Sequence, residues 1–309
     1  MKVLLAYDGS DCSAHAVAEL PLLGLPAAVD LTVLSVADIW MPTPGADAAD
    51  VDLSLSPGLA ALRLKTGEHL DAAHNLANEG AVKVRQLFPG WQVAARAVAD
   101  SPGWAIVRIA GELAADWVIV GSHGRGALGR VLLGSVSQRV LNSGPGSVHV
   151  SRPRPGHPGF PFRVLVAVDG SADSVAAVRQ LASRAWPAGT VIRLLAVLDP
   201  RLESVIAWPG IFPSEWARSH ETTPREWICH LVEHFAQMLY AAHLTAETAI
   251  GEGDPKQEIL RQAEDFRADL LVLGAHGLHH GAQRNLGSVA GAVAARAHCS
   301  VEIIRPAVG

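Results

Sequence analysis

The feature that most constrains this chain is a repeat. Lys2–Tyr7 with Asp8-Gly9-Ser10 returns as Arg163–Val168 with Asp169-Gly170-Ser171. Likewise Gly121–Ser135, GSHGRGALGRVLLGS, returns as Gly274–Ser288, GAHGLHHGAQRNLGS. Both glycine stretches share one frame: Gly, two residues, Gly, nine residues, Gly-Ser. Each follows an apolar run of strand length, 117–120 in one copy and 270–274 in the other. Two copies of such a frame predict two copies of one structural unit. The offset is 161 residues at Asp8/Asp169 and 153 at Gly121/Gly274, so the first copy holds eight residues more. Most of them are expected in Met41–Pro57, a Pro-, Gly- and Asp-bearing stretch that reads as an irregular loop, where insertions are tolerated.

Within each copy the hydrophobic pattern alternates strand and helix. Strand-length apolar runs fall at 2–7, 31–38, 91–98, 117–120 and 147–150, and again at 163–168, 191–199, 244–251, 270–274 and 300–304. Helical spacing fills 13–23, 62–88 and 102–113, then 225–243 and 255–266, and each glycine stretch leads into a short amphipathic pattern. Strands apolar on both faces predict parallel sheets covered by helices on both sides. Right-handed crossovers then favour α/β, doubly wound domains. From Arg152 to Pro161 four prolines in ten residues exclude helix and central strand. The expected organisation is a first domain at 1–152, a linker at 153–161 and a second domain at 162–309. Ligands of such sheets sit beyond the C-terminal strand ends, at the switch in strand order. Asp8-Gly9-Ser10 and Gly121–Gly124 both fall at such ends, so the first and fourth strands are expected to frame one crevice. A Gly-Ser pair at a helix start completes an anion site, because unpaired N–H groups and the positive helix end point the same way.

Composition narrows the function. With 49% hydrophobic and 18% charged residues the chain is globular, and a net charge of -5 argues against a nucleic-acid partner. No uncharged apolar run approaches the length needed to span a bilayer, and the strand pattern begins directly after Met1, without a secretion signal. Three widely spaced cysteines, Cys12, Cys229 and Cys299, fit a reduced cytoplasmic setting better than a disulfide framework.

The spacing G-x2-G-x9-G-[ST], after a strand ending in D-G-S, resembles the universal stress protein family over nearly the whole chain, as two tandem domains. The fixed positions are Gly121, Gly124, Gly134 and Ser135, then Gly274, Gly277, Gly287 and Ser288. The resemblance implies a five-stranded parallel sheet of order 3-2-1-4-5 in each domain. It also implies the ATP-binding branch of the family, with ATP and Mg2+ as ligands. Carried over position by position, Asp8 and Val36 would lie near the adenosine, and Gly121 and Gly124 along ribose and phosphates. Gly134, Ser135 and Val136 would hold phosphate oxygens. The second set is Asp169, Val197, Gly274, Gly277, Gly287, Ser288 and Val289. His123 and His276 occupy equal loop positions, and Arg125 and Arg130, two bases that would help neutralise phosphate charge, become Leu278 and Gln283, with Arg284 one place along. The family also pairs through its last strands, which implies an intramolecular pseudo-dimer of the two domains and leaves room for a homodimer. The functional expectation is a nucleotide-dependent stress-response module. The alternatives are a slow ATP hydrolase or phosphoryl-transfer enzyme on the same site, or a nucleotide-free interaction scaffold.

Other patterns carry less. Gly124–Gly129 spells G-x-G-x-x-G, but after the fourth strand and without a counterpart in the second copy, so a dinucleotide fingerprint is disfavoured. No G-x4-G-K-[ST] is present. His230-Leu-Val-Glu233-His234 matches an inverted zinc-protease spelling that the first copy lacks, and reads as a solvated helix face. Asp8 and Asp169 lack the acidic partner and lysine of a receiver site. Glu252 and Asp254 read as turn residues.

Overall fold

The computed structural model describes residues 1–38, 57–124, 133–153, 161–200, 223–278 and 286–306. The first half runs β1 (Lys2–Ala6), α1 (Asp11–Glu19), β2 (Asp30–Asp38), α2 (Pro57–Leu87), β3 (Gln92–Asp100), α3 (Pro102–Glu112), β4 (Trp117–Gly121), α4 (Ser135–Ser143) and β5 (Ser147–Ser151). The second half repeats it as β6 (Arg163–Ala167), α5 (Ala172–Ala182), β7 (Val191–Leu198), α6 (Pro224–Ala241), β8 (Ala246–Glu252), α7 (Pro255–Asp265), β9 (Leu270–Gly274), α8 (Ser288–Arg296) and β10 (Ser300–Ile304). The strands form one sheet in the order β3-β2-β1-β4-β5-β10-β9-β6-β7-β8. Each half therefore has the expected 3-2-1-4-5 order. Every pairing within a half is parallel, while β5 and β10 meet antiparallel.

Alternation along the strands builds a core on each face. Val3 and Leu5 of β1 belong to one continuous core that also holds Val17 of α1 and Val84 of α2 and runs on through Val178 of α5 and Phe235 of α6. Leu4 points the other way, to the layer made by Ile109 of α3, Val140 of α4, Ile259 of α7 and Val293 of α8. A sheet sandwiched in this way must have central strands apolar on both sides, which is why β1, β4, β6 and β9 read as unbroken apolar runs.

The extra length of the first half is not where the sequence suggested. Helix α2 has 31 residues against 18 in α6, while the connection before it, 39–56, is shorter than its counterpart at 199–223. Pro57-Gly58 reads as a loop end, yet proline has no amide hydrogen to lose at a first helical position and its fixed φ suits one. The rest of Met41–Pro57 and most of Leu202–Pro224 lie outside the described residues, as do Trp40, Trp208 and Trp216. Among the described residues no helix is long and apolar enough to cross a membrane.

The halves are locked by more than strand pairing. The antiparallel register sets Val301 against Val150, Glu302 against His149 and Ile303 against Val148, so the equivalent pair Glu302 and His149 meets at a local two-fold axis and the flanking pairs are related by it. Arg152, just past β5, sends Nη2 to the carbonyls of Ala294 (2.8 Å) and Ala295 near the end of α8. Arg305, just past β10, reciprocates, with Nη1 on the Gly146 carbonyl (3.0 Å) and Nη2 on Leu141 of α4. Their backbone N–H groups donate to Ser300 Oγ and Ser147 Oγ, again as equivalents. Each half thus supplies the cation that caps the C-terminal carbonyls of the other's last helix.

Candidate functional site

In both halves the ends of the first and fourth strands meet through the aspartate that follows the first. Asp8 Oδ1 accepts hydrogen bonds from the Ser10 N–H (3.0 Å) and Ser10 Oγ (2.6 Å), and a Cβ on Gly124 would lie 2.9 Å from Asp8 Oδ2. Asp169 Oδ1 accepts from the Ser171 N–H (3.0 Å) and Oδ2 from the Leu278 N–H (3.3 Å), and a Cβ on Gly277 would lie 2.7 Å from that second oxygen. The first glycine of each frame has a similar reason. A Cβ on Gly121 would come within 2.8 Å of Cys12 Cβ, and one on Gly274 within 2.7 Å of Asp173 Cβ. These glycines let the fourth-strand loop close against the first-strand turn and its helix. Their need is met by the protein's own packing, before any ligand is considered.

The helix starts point to a ligand more directly. Ser10, Ser171, Thr223 and Asp254 cap α1, α5, α6 and α7, each accepting an N–H of its own first turn. Helices α4 and α8 begin after Gly134 and Gly287, which have no side chain to give. Their first-turn N–H groups, at Ser135 and Val136 and at Ser288 and Val289, have no intrahelical acceptor. The glycine N–H itself is not part of this cradle: Gly134 donates to the Ser122 carbonyl and Gly287 to the Ala275 carbonyl, both at 2.9 Å. In this structure the Gly134 N–H, expected from the sequence to face phosphate, is engaged by the Ser122 carbonyl. Its role is to leave the helix end uncapped and the approach open.

In the second half these parts enclose a cavity of about 390 Å3. Every described second-copy residue singled out from the sequence lines it: Asp169, Val197, Gly274, His276, Gly277, Gly287, Ser288 and Val289. Val197 stands on β7 beside Gly251 of β8, where the first half pairs Val36 with Val98. The cavity wall also holds residues the spacing did not flag. Leu195, Ile259 and Leu273 give it an apolar side, and Asp199 and Lys256 add polar groups beside Ser171 of the repeated D-G-S turn. Lys256 alone among these had a local signal, as a basic residue next to the proline of a capped helix start.

The loop histidines differ between halves. His276 donates its N–H to Asp173 Oδ2 (2.9 Å), and its Nδ1 lies 2.9 Å from the same oxygen. At the position of Asp173 the first half has Cys12, whose Sγ lies 3.5 Å from Ser122 Oγ. That hydroxyl in turn meets His123 Nδ1 at 3.2 Å. Both histidines shape the loop from within, their carbonyls accepting from Ser10 Oγ and Ser171 Oγ. Arg125 and Arg130 lie outside the described residues.

The rival patterns resolve into structural roles. Asp254 caps α7 by accepting the Lys256 N–H at 2.8 Å, and Glu252 pairs with Arg225. His230 sits 3.7 Å from Glu233 on an exposed face of α6. Among the described residues no group of three or more His, Cys, Asp or Glu is placed to hold a metal ion. Cys12, Cys229 and Cys299 are free thiols.

Comparison with known proteins agrees with this architecture. The universal stress protein family matches twice, over residues 1–152 and 162–305. Universal stress protein Sll1388 of Synechocystis is 32% identical over 103 residues, which is 33% of this chain and 64% of that protein. Universal stress protein YxiE of Bacillus subtilis is 26% identical over 145 residues, 46% of this chain and 98% of its own length. A solved universal stress protein from Archaeoglobus fulgidus covers 98% of this chain and 98% of its own at 19% identity and a TM-score of 0.66, a likeness of fold. Two matches to one family model, laid over two copies of one doubly wound unit, lead to one conclusion: the chain belongs to the universal stress protein family, as a tandem of two such units.

Proposed function

We propose that the protein is a nucleotide-binding universal stress protein of the ATP-binding branch, and that occupancy of its crevices regulates a stress response. The observation that carries the reading is the second-half cavity, whose walls join the glycine loop, the uncapped start of α8 and the pinned Asp169. The apolar side made by Val197, Leu195 and Ile259 suits a purine ring, and the start of α8 suits phosphate. ATP would bring Mg2+ with it, held chiefly through phosphate oxygens and water, as this ion usually is. In the first half Asp8, Val36, Gly121, Gly124, Ser135 and Val136 would act in the same way.

Binding is favoured over hydrolysis. Both oxygens of Asp169 already accept protein N–H groups, which makes it a positioning group and a poor base for activating water. The units are taken as 1–152 and 162–309, joined by 153–161. The β5–β10 seam serves as an intramolecular counterpart of a dimer interface, in a cytoplasmic setting that keeps the three thiols reduced.

Isothermal titration of the full-length chain with ATP and Mg2+ tests the reading. Ser288→Asp places a carboxylate in the first turn of α8, where it favours the helix but repels phosphate. Saturable binding is expected, weakened at least about tenfold at one site by Ser288→Asp, a loss of about 1.4 kcal/mol. Phosphate release in single turnover is expected to stay at background. ATP affinity unchanged in both Ser288→Asp and Ser135→Asp would sink the proposal.

A further inference from the structure

The two halves differ at the start of the helix beside the glycine loop. In the second half Lys256, in the first turn of α7, lines the cavity together with Ser288 and Val289 of α8. Helices α7 and α8 pack side by side and both begin at the C-terminal edge of the sheet. Their first turns therefore form one wall. Asp254 occupies the N-cap of α7, so that helix end is already satisfied. The backbone N–H of Lys256 is held by Asp254 Oδ1, which fixes where its side chain starts. Among the described residues its ammonium has no carboxylate within ion-pair distance, and the residue is half-buried.

The first half does not carry the same group. Gly103 stands at the equivalent place, and a Cβ there would lie 3.2 Å from Cβ and Cγ of Arg139. Arg139 turns outward, its guanidinium 4.2 Å from the ring centre of Trp104, which is 55% exposed. In the second half these positions are Ala292 and Gln257, so the stack is gone and Lys256 takes the space beside α8. The glycine loops differ as well, with Leu278 and Gln283 where the first copy has Arg125 and Arg130, and Arg284 one place along.

We propose that Lys256 is a ligand-contacting, specificity-determining residue. It binds an anionic group of the nucleotide in the second-half cavity and makes that site select for ligand charge through α7, which the first half, with Gly103 at this position, does not. The inference rests on the nucleotide reading of the same cavity. Its physical basis is that a half-buried ammonium without a carboxylate partner, sharing a wall with an uncapped helix end, gains most from a multiply charged anion.

The test is titration of the full-length chain with AMP, ADP and ATP, in a Ser135→Asp background that leaves the second site to be read. Lys256→Met is expected to weaken ATP by about tenfold and AMP by distinctly less. Lys256→Arg is expected to retain most of the ATP affinity, and the thermal midpoint to stay unchanged in both. ATP binding that is lost in Ser288→Asp but equal in Lys256→Met and its parent would overturn the assignment of Lys256 while leaving the site standing. So would an equal loss for all three nucleotides. No ATP binding by the wild-type chain would overturn both.

Discussion

Glu19 lies between the two halves with almost no exposed surface. Its Oε2 lies 3.1 Å from His149 Nε2 and accepts hydrogen bonds from Ser151 Oγ at 2.9 Å and Ser300 Oγ at 3.0 Å, with His15 at 4.0 Å. Burial pushes its pKa up, but the attraction and hydrogen bond of His149, with His15 and Ser300, outweigh it and hold the carboxyl below its ordinary 4.5. A carboxyl depressed in the folded state stabilises the fold above its unfolded value, and that stability is lost as pH falls through the folded one. Glu19→Gln is therefore expected to cost about 2 kcal/mol at neutral pH. It should also flatten the loss of stability below pH 4.5, read as the slope of unfolding free energy against pH. Glu302, on the other strand of the seam, is held by both terminal nitrogens of Arg184, whose guanidinium stands over Trp117 at 4.9 Å. Arg184→Leu leaves that carboxylate buried without its counter-charge, a change worth roughly 3–5 kcal/mol. Adding Glu302→Leu should recover much of the loss in denaturant unfolding. None of these partners was legible in the sequence. They join α1 and β5 of one half to the end of α5 and to β10 of the other, and no local spacing links them. Asp8, Gly124, Asp169 and Gly277 were legible, because the motif fixes them within each copy at strand ends that the fold must bring together.

At the scale of elements, α4 and α8 are short helices with unlike ends. Their starts have no side-chain cap, and their last carbonyls are held by an arginine from the opposite half. Burial lowers the pKa of Arg152 and of Arg305, with the Cys12 and Cys299 thiols acting against it in one case and Asp173 in the other. Replacing Arg305 with Met removes the cap of α4 without touching either crevice, and should cost up to about 2 kcal/mol. Thermal unfolding would register this, and hydrogen exchange should place the new opening in residues 135–143. The helix–strand alternation that built these elements was readable from period alone. The start of α2 was not, since Pro57-Gly58 resembles a loop end until the proline is recognised as a first helical residue.

For the whole molecule the decisive feature is that, among the described residues, the ten-stranded sheet has two free edges, β3 and β8, where two separate halves would have four. Cutting the chain between them would uncover β5 and β10, and an unpaired buried strand seeks a partner. Residues 1–152 and 162–309, prepared separately, are each expected to self-associate. The seam favours unlike halves: a homodimer of the second in the same register would set Glu302 against Glu302, where the native chain sets it against His149. Mixing the two should give a one-to-one complex in size-exclusion chromatography with mass detection. Monomeric halves that ignore each other would count against this account of the seam. The repeat in the sequence foretold two like units, yet the specificity of their joint lies in the residues where the copies differ.

Those differences also bear on the ligand. The central proposal is that an uncapped helix start beside a glycine loop binds the phosphates of ATP. A crystal structure of the full-length chain grown with ATP and Mg2+ addresses that claim most directly. The account predicts phosphate oxygens within about 3 Å of the Ser288 and Val289 N–H groups, with the base against Val197. A nucleotide bound elsewhere, or a second-half cavity that stays empty at saturating ATP, would contradict it.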